Sequence, residues 1–442
     1  MNGRQPKRWQ ATAVQNAGAP TGIRSGWIVL CLLLTGIAIV RSAATDISGD
    51  FPAPSLDRWV YPFFGDTDGT RPVASTFGSF DPRFDTRDGQ FLLGWNLTGA
   101  LTNQGPRNYL FRSLRVILTV AMDKTFEYDP TPDRYETYLA TNDPAFLLDQ
   151  DVGRPAELFG AGYRGGYTAE SFLEASPFGV IGPITGTNIA IGSRNVYAAM
   201  FDTNGALIDV SNNVGQPGYA PFETAPWAIG TTTNLAPGEA VPAGTVFSFD
   251  VDLLNPLILG YIRDAFHRGP LRLVTSSLHS TMQIGFGGGG SYPQWQTKEK
   301  ILGIPPRLQW NAIVIRPDVD TDSDGLPDDW ESYYFGNLDK GSQDDPDGDG
   351  ASNAFELASG TDPANRASQF WIRAYRELSD RRTQIEFPIE ANYRYKVESS
   401  NDLQIWAAVP GSITYRPGGI AVWEESQAAP TISERFFRVV IE

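Results

Sequence analysis

The sequence predicts a mainly β protein in three parts: a large β-sandwich, a short acidic metal-binding segment and a small C-terminal β-sandwich. Three observations predict it. Period-2 or fully apolar runs of strand length recur between turn clusters over most of the chain. Glycine (45) and proline (32) punctuate many short strands, while 41% apolar residues supply cores and argue against a disordered chain. An abrupt change to Asp- and Gly-crowded sequence over 317–365 separates the two β regions.

The elements follow in order. Residues 1–44 read as an export signal: Arg4, Lys7, Arg8 and Arg24 precede an apolar run from Trp27 to Val40, and Ser42-Ala43-Ala44 offers a cleavage site. The run is shorter than the roughly 20 residues that span a bilayer. An uncleaved membrane anchor is the competing reading, and the only route to a membrane. The expected location is therefore secreted or cell-surface. Cys31 is the only cysteine and lies in this run, so a chain cut after Ala44 has no disulfide, thiolate metal site or Cys nucleophile. Cleavage also removes five positive charges, Arg41 being the fifth, and takes the formal net charge from −16 to −21. Such a surface repels nucleic acid and favours divalent cations.

The large β domain is expected over 47–316. Its clearest strands are Phe91–Leu97, Ser113–Val120, Asn195–Phe201, Thr245–Val251 and Leu271–Thr275. One helix is expected at Leu257–His267, with Leu257, Ile258, Tyr261, Ile262 and Phe266 on one side and Gly269-Pro270 as its stop. Gly287–Gly290 reads as a loop, because neither a helix start nor a lysine follows to make a phosphate cradle. The C-terminal sandwich, 368–442, should hold five or six strands. Ile385, Phe387 and Ile389 alternate with Glu386 and Pro388, the proline suggesting an edge strand, and Tyr393, Tyr395, Val397 and Phe437, Val439, Ile441 keep the same period.

Between them, 317–365 holds two 12-residue loops. The first places side-chain oxygens at positions 1, 3, 5, 9 and 12: Asp320, Asp322, Asp324, Asp328 and Glu331. Gly325 at position 6 permits a sharp turn, and Leu326 at position 7 offers its carbonyl. The second repeats the pattern with Asp345, Asp347, Asp349, Gly350, Ala351 through its carbonyl, Asn353 and Glu356. A hard cation wants six to eight oxygens, and this spacing wraps them around Ca²⁺ with the last glutamate closing the site bidentately. Two Ca²⁺ sites are expected. A solvated acidic linker would explain the aspartates but not glycine and glutamate at these offsets. From Asp320 to Asp345 is 25 residues, room for one short helix between loops. Pro327 suits its first turn, Trp330, Tyr334 and Phe335 can pack inward, and Gly336 ends it. Phe355, Leu357 and Ala358 give a second helix ending near Gly360. So small a segment should depend on the metal to fold.

The run from Asp322 to Glu331, with Asp347-Gly348-Asp349-Gly350 and Gly360-Thr361-Asp362-Pro363, resembles bacterial thrombospondin type 3 repeats and, more loosely, dockerin repeats. The resemblance covers about 45 residues and implies extracellular calcium binding by the ligands named above. Two repeats imply a stiff spacer, not an extended rod. The large domain more weakly resembles jelly-roll modules of the DNRLRE type through Phe91–Leu97, Ser113–Val120, Phe249-Asp250-Val251 leading into the helix, and Lys298-Glu299-Lys300 before Pro305-Pro306-Arg307-Leu308. That likeness implies a jelly roll that binds a polysaccharide or cell-surface component. The C-terminal module, through Tyr395–Leu403 and Trp406, resembles accessory sandwiches of large exported bacterial proteins.

Catalytic signals are sparse. His267 and His279 are the only histidines and read as structural or surface residues. Asp66, Asp68, Asp81, Asp85 and Asp88 cluster in sequence and read as loop caps, then as a third cation site, then as catalysts. Trp59, Tyr61, Tyr163, Tyr167, Trp227, Tyr292 and Trp295 lie in Gly- or Pro-rich stretches, where packing and sugar stacking are both open. Asn96-Leu97-Thr98 fits the N-glycosylation pattern but sits in an expected strand. The leading expectation is a non-catalytic, calcium-binding glycan- or surface-binding scaffold. The alternative is an extracellular polysaccharide-degrading enzyme with two carboxylates about 5–10 Å apart in a cleft.

Overall fold

The alternating segments become antiparallel strands, seen in a computed structural model. It describes residues 45–62, 69–79, 84–101, 109–177, 179, 184–185, 188–189, 193–202, 206–211, 226–281, 291–388, 395–416, 420–427 and 435–441. The expected export signal, Asp66, Asp68, Asp81, Gly287–Gly290, Ile389 and Tyr393 lie outside these residues. None of the described helices is long and apolar enough to cross a membrane.

The first region contributes β1 (Thr45–Phe51), β2 (Leu56–Val60), β3 (Val73–Ser75), β4 (Gln90–Asn96) and β5 (Tyr109–Thr119). A one-turn helix, α1 (Tyr135–Tyr138), then precedes β6 (Ala156–Tyr163), β7 (Ile184–Thr185), β8 (Asn188–Ile189), β9 (Val196–Phe201) and β10 (Leu207–Asp209). After β11 (Ala228–Thr231) and β12 (Val246–Asp250) come α2 (Pro256–Arg268), β13 (Pro270–Ser277), β14 (Gln294–Gln296) and β15 (Arg307–Val314). The five strands expected from period alone are thus β4, β5, β9, β12 and β13.

The main sheet runs β1-β15-β5-β12-β11-β6-β13-β4-β2. It curls at β11, where Gly230 and Thr231 pair with β12 while Ala228 and Ile229 pair with β6. The sheet therefore faces itself. Phe91, Leu93 and Trp95 of β4 and Leu271 and Leu273 of β13 share one core with Leu114, Val116 and Leu118 of β5 and Phe247 and Phe249 of β12. Trp295 stands fully buried among Phe126, Phe247 and Phe249, each edge-on to it. Emptying such a site costs about 3–5 kcal/mol. The opposite face of β4, β6 and β13 is buried too, under Phe172 and Val210, which explains why β4 runs apolar without a break from Phe91 to Trp95.

Helix α2 closes one end of that core. Asn255 accepts from the Leu257 and Ile258 N–H groups, Pro256 fixes the first turn, and Gly269 at φ 107° ends the helix. Ile258, Tyr261, Ile262, Ala265 and Phe266 turn inward at helical spacing.

The acidic segment forms α3 (Asp328–Tyr334) and α4 (Asn353–Ser359). Pro327 is the residue that caps α3, one position before the expected first turn. Gly336 at φ 72° follows α3 and Gly360 at φ 75° follows α4, as the spacing predicts. The segment borrows its core from the large sheet: Leu326 and Trp330 pack on Leu110 of β5, Ile313 of β15 and Ile315.

The C-terminal region forms β16 (Ala374–Glu377), β17 (Thr383–Pro388), β18 (Tyr395–Ser400), β19 (Ala407–Ala408), β20 (Gly411–Arg416), β21 (Ile420–Glu425) and β22 (Phe436–Ile441). A sheet β16-β17-β21-β20 and a sheet β19-β18-β22 share a core of Ile385, Phe387, Val397, Ala421 and Trp423. Two expectations change here. Among the described residues seven strands replace the five or six, because β16 and β19 are short and mostly exposed. Strand β17 is an inner strand, not an edge. Its Pro388 is tolerated because β16 pairs only as far as Glu386, so no ladder on that side needs its N–H.

Candidate metal centre

Both loops fold alike. A carboxylate oxygen from each of Asp320, Asp322 and Asp324 lies within 4.8 Å of the others, and Asp345, Asp347 and Asp349 repeat the arrangement. Gly325 and Gly350 both take φ 98°, a left-handed conformation that favours glycine. Their N–H groups donate to the first aspartates: Gly325 to Asp320 Oδ2 at 3.0 Å and Gly350 to Asp345 Oδ2 at 2.9 Å. The next N–H groups, of Leu326 and Ala351, donate to Asp324 Oδ1 at 2.8 Å and Asp349 Oδ1 at 2.7 Å. Each loop closes through its ninth residue. The Asp328 N–H donates to Val319 O at 2.9 Å, and the Asn353 N–H to Asp344 O at 2.8 Å.

Beneath each cluster sits the twelfth residue, on the first turns of α3 or α4. Glu331 and Glu356 are fully buried. Among the described residues neither Glu331 oxygen has a hydrogen-bond partner, nor do Glu356 Oε2, Asp320 Oδ1, Asp324 Oδ2, Asp347 Oδ2, Asp349 Oδ2 and Asn353 Oδ1. Burial, reinforced by Asp324 and Asp322, pushes the Glu331 carboxyl up to about 8. Burial, reinforced by Asp347 and Asp349, does the same to Glu356. Buried carboxylate oxygens without partners cost free energy, and a cation satisfies them all at once. The donor set is all oxygen, so it fits a hard cation.

The ninth positions differ. Asn353 gives its Nδ2 to Gly341 O at 2.9 Å and keeps Oδ1 free. Both Asp328 oxygens are engaged by Thr321, Oδ1 by its N–H at 2.7 Å and Oδ2 by its hydroxyl at 2.5 Å. Engaged in this way, Asp328 would reach a cation through water, as is common at this position. The supports also differ. Arg316 grips Asp329 with Nε at 2.6 Å and Nη2 at 2.5 Å and so anchors α3. Loop 2 has Thr361, whose hydroxyl donates to Glu356 Oε1 at 3.4 Å.

Two further acidic clusters were not visible in the sequence. Asp57, Glu174 and Glu299 bring oxygens within 4.8 Å of one another. Lys298 Nζ lies among them, bonded to Glu174 and 3.7 Å from both Asp57 and Glu299. Burial still pushes Asp57 up to about 7. Asp129, Asp133 and Asp151 form the other, where Arg154 pairs with Asp133 at 2.6 Å and Thr131 bridges Asp129 and Asp151.

Among the described residues several other candidates are held by packing or by local bonds, while His267 is exposed. Asp85 and Asp88 are fully buried ligands of the Arg194 guanidinium. His279 is buried against Phe126, bonds Ser277, and is pushed down to about 3 by burial. Trp227 and Trp295 are core residues, and Trp59, Tyr61 and Tyr292 cluster on Phe77. Asn96 holds the Thr98 hydroxyl at 2.7 Å. Compared with protein-family models, curated proteins and solved structures, the chain matches none.

Proposed function

We propose that this protein is a secreted or surface-attached, non-catalytic scaffold that binds two calcium ions between a glycan- or surface-contacting sandwich and a C-terminal module. The observation behind it is the pair of fully buried closing glutamates with unpartnered oxygens, Glu331 and Glu356, each under three aspartates. Calcium is the ion because it accepts many oxygens in flexible geometry, whereas Mg²⁺ demands a near-ideal octahedron and keeps its water. The thrombospondin-type resemblance supports the same ion, and the export signal supports a calcium-rich compartment. Affinity on the order of 10⁻⁴ to 10⁻³ M suits extracellular levels.

Calcium here acts as a joint. Trp330 and Leu326 fasten α3 to the large sheet, and Arg263 of α2 donates to Gly360 O at 3.0 Å at the end of α4. We read the curled sheet as a jelly roll whose role is to contact polysaccharide or surface. We do not favour the carboxylate-hydrolase alternative, because Lys298 and Arg154 already engage the two other acidic clusters.

Calorimetric titration tests the ion. Two calcium ions should bind, one in Glu331→Gln and one in Glu356→Gln. Unchanged stoichiometry in both variants would refute the ligand assignment.

A further inference from the structure

We propose that the cleft where the three regions meet binds a short carboxylate-bearing saccharide, and that calcium assembles this cleft. The inference rests on the calcium reading above and names the ligand class and its regulation. The cavity is about 360 Å³, within the ~300–1,000 Å³ range of small-molecule sites. Its walls come from β5, from the turn after β12, from α2, from both calcium helices and from the start of the C-terminal module.

Three arginines line it in a chain of net charge −16. Two are engaged. Arg112 pairs with Asp46 at 3.2 Å, and Arg263 donates to Gly360 O while sharing the field of Asp362. Arg373 is different. It has no ion pair among the described residues, its Nε is buried without an acceptor, and burial holds it down to about 10. A half-buried guanidinium without an anion is costly, and a planar carboxylate answers it with paired hydrogen bonds. Tyr333, 36% exposed on the same wall, offers a ring to a sugar face. A net charge of −16 disfavours a long polyanion, while the small cleft admits a short one.

The calcium helices build this wall directly. Glu356 O accepts from the Gly360 and Thr361 N–H groups at 2.8 and 3.2 Å, and the Ser359 and Thr361 hydroxyls meet at 2.9 Å. All three of these residues line the cleft. Tyr333 and Tyr334 follow Glu331 on α3 and line it too. Closing both glutamates on calcium fixes the positions of α3 and α4, hence the wall. Reciprocity requires the saccharide to tighten calcium in turn.

The test titrates the full chain with digalacturonate and with its neutral counterpart, galactobiose, in calcium and in EGTA. Digalacturonate should bind in calcium about tenfold or more tighter than galactobiose, and binding should vanish in EGTA. Arg373→Ala should weaken it about tenfold with calcium uptake unchanged, Arg373→Lys should restore part, and Arg376→Ala, outside the cleft, should have no effect. Equal binding of the two sugars, or an unaffected Arg373→Ala, overturns the site. Two bound calcium ions with no digalacturonate binding overturns this inference alone. Digalacturonate binding that survives EGTA in a chain taking up no calcium overturns the calcium reading and its coupling, while the cleft stands.

Discussion

The two acidic loops and the Asp57 cluster contain the same chemistry with opposite solutions. In all three, carboxylate oxygens from three residues approach within 4.8 Å. At Asp57, Glu174 and Glu299 the chain supplies its own cation, Lys298, from the loop after β14. In the loops no lysine or arginine forms an ion pair with any of the six aspartates or with either closing glutamate among the described residues, and buried oxygens stay unpartnered. Proximity of carboxylates therefore does not identify a metal site. What supports the proposed metal sites is proximity without an internal cation, together with a buried carboxylate that no described residue satisfies.

The largest effect should come from removing the internal cation. Lys298→Met leaves Asp57, Glu174 and Glu299 facing one another with Asp57 fully buried. Breaking such a pair costs about 3–5 kcal/mol when buried, and about 2–3 here because Lys298 is 22% exposed. The loss should grow as pH rises, since a carboxyl raised to about 7 favours the folded state only while protonated. Urea unfolding at pH 5 and pH 8 measures it. The same variant sharpens the comparison: calcium should stabilise its large domain, a response the native trio should not show. If calcium stabilises the native trio equally, Lys298 is not the substitute cation.

Removing calcium from the loops should be the next largest. At calcium tenfold above its dissociation constant each site contributes about 1.4 kcal/mol, so EGTA or Glu331→Gln with Glu356→Gln should cost about 2–3 kcal/mol. Thermal melting and proteolysis within 317–365 report it, and an EGTA-insensitive segment would contradict metal-dependent folding.

How much of this could be read from the chain follows from sequence distance. In each loop the residues proposed as ligands fall within twelve positions, so spacing alone displays the acidic clusters, and the strands show in their period. The cleft and the Lys298 hub do not. Asp57 meets Glu174 across 117 residues and Lys298 across 241. Asp85 and Asp88 left loop, cation and catalytic readings open because their partner, Arg194, lies more than 100 residues on. Pro388 misled because an inner strand can expose one end once its neighbour stops. The acidic segment looked coreless because its core belongs to Leu110, Ile313 and Ile315 of the large domain.

A smaller effect separates the loops' protonation from their metal. Glu331 and Glu356 are pushed up to about 8 without a cation, so both are mostly protonated at pH 7 and a calcium ion bound there would displace those protons. Titrations in buffers of different ionisation enthalpy should show up to about two protons released per chain. Calcium affinity should weaken as pH falls below 8. The metal-free segment behaves oppositely. Its folded state holds more protons than the unfolded chain between about 4.5 and 8, so its stability falls as pH rises through that window. Proton release near zero would mean that water already satisfies both glutamates.

The smallest effect distinguishes one loop from the other. Asn353 keeps Oδ1 free for the ion, whereas Asp328 spends both oxygens on Thr321. Asn353→Ala should weaken loop 2 about tenfold, near 1.4 kcal/mol, measured in Glu331→Gln so that only that loop binds. Asp328→Ala, measured in Glu356→Gln, should weaken loop 1 only about twofold. Its main cost should appear with or without calcium, because the Thr321 bonds brace the loop whether or not an ion is present. Asp328→Asn should recover that brace in part, since its amide oxygen still accepts the Thr321 N–H. Were Asp328→Ala to cost as much calcium affinity as Asn353→Ala, Asp328 would have to turn away from Thr321 and coordinate directly, and the two loops would be equivalent.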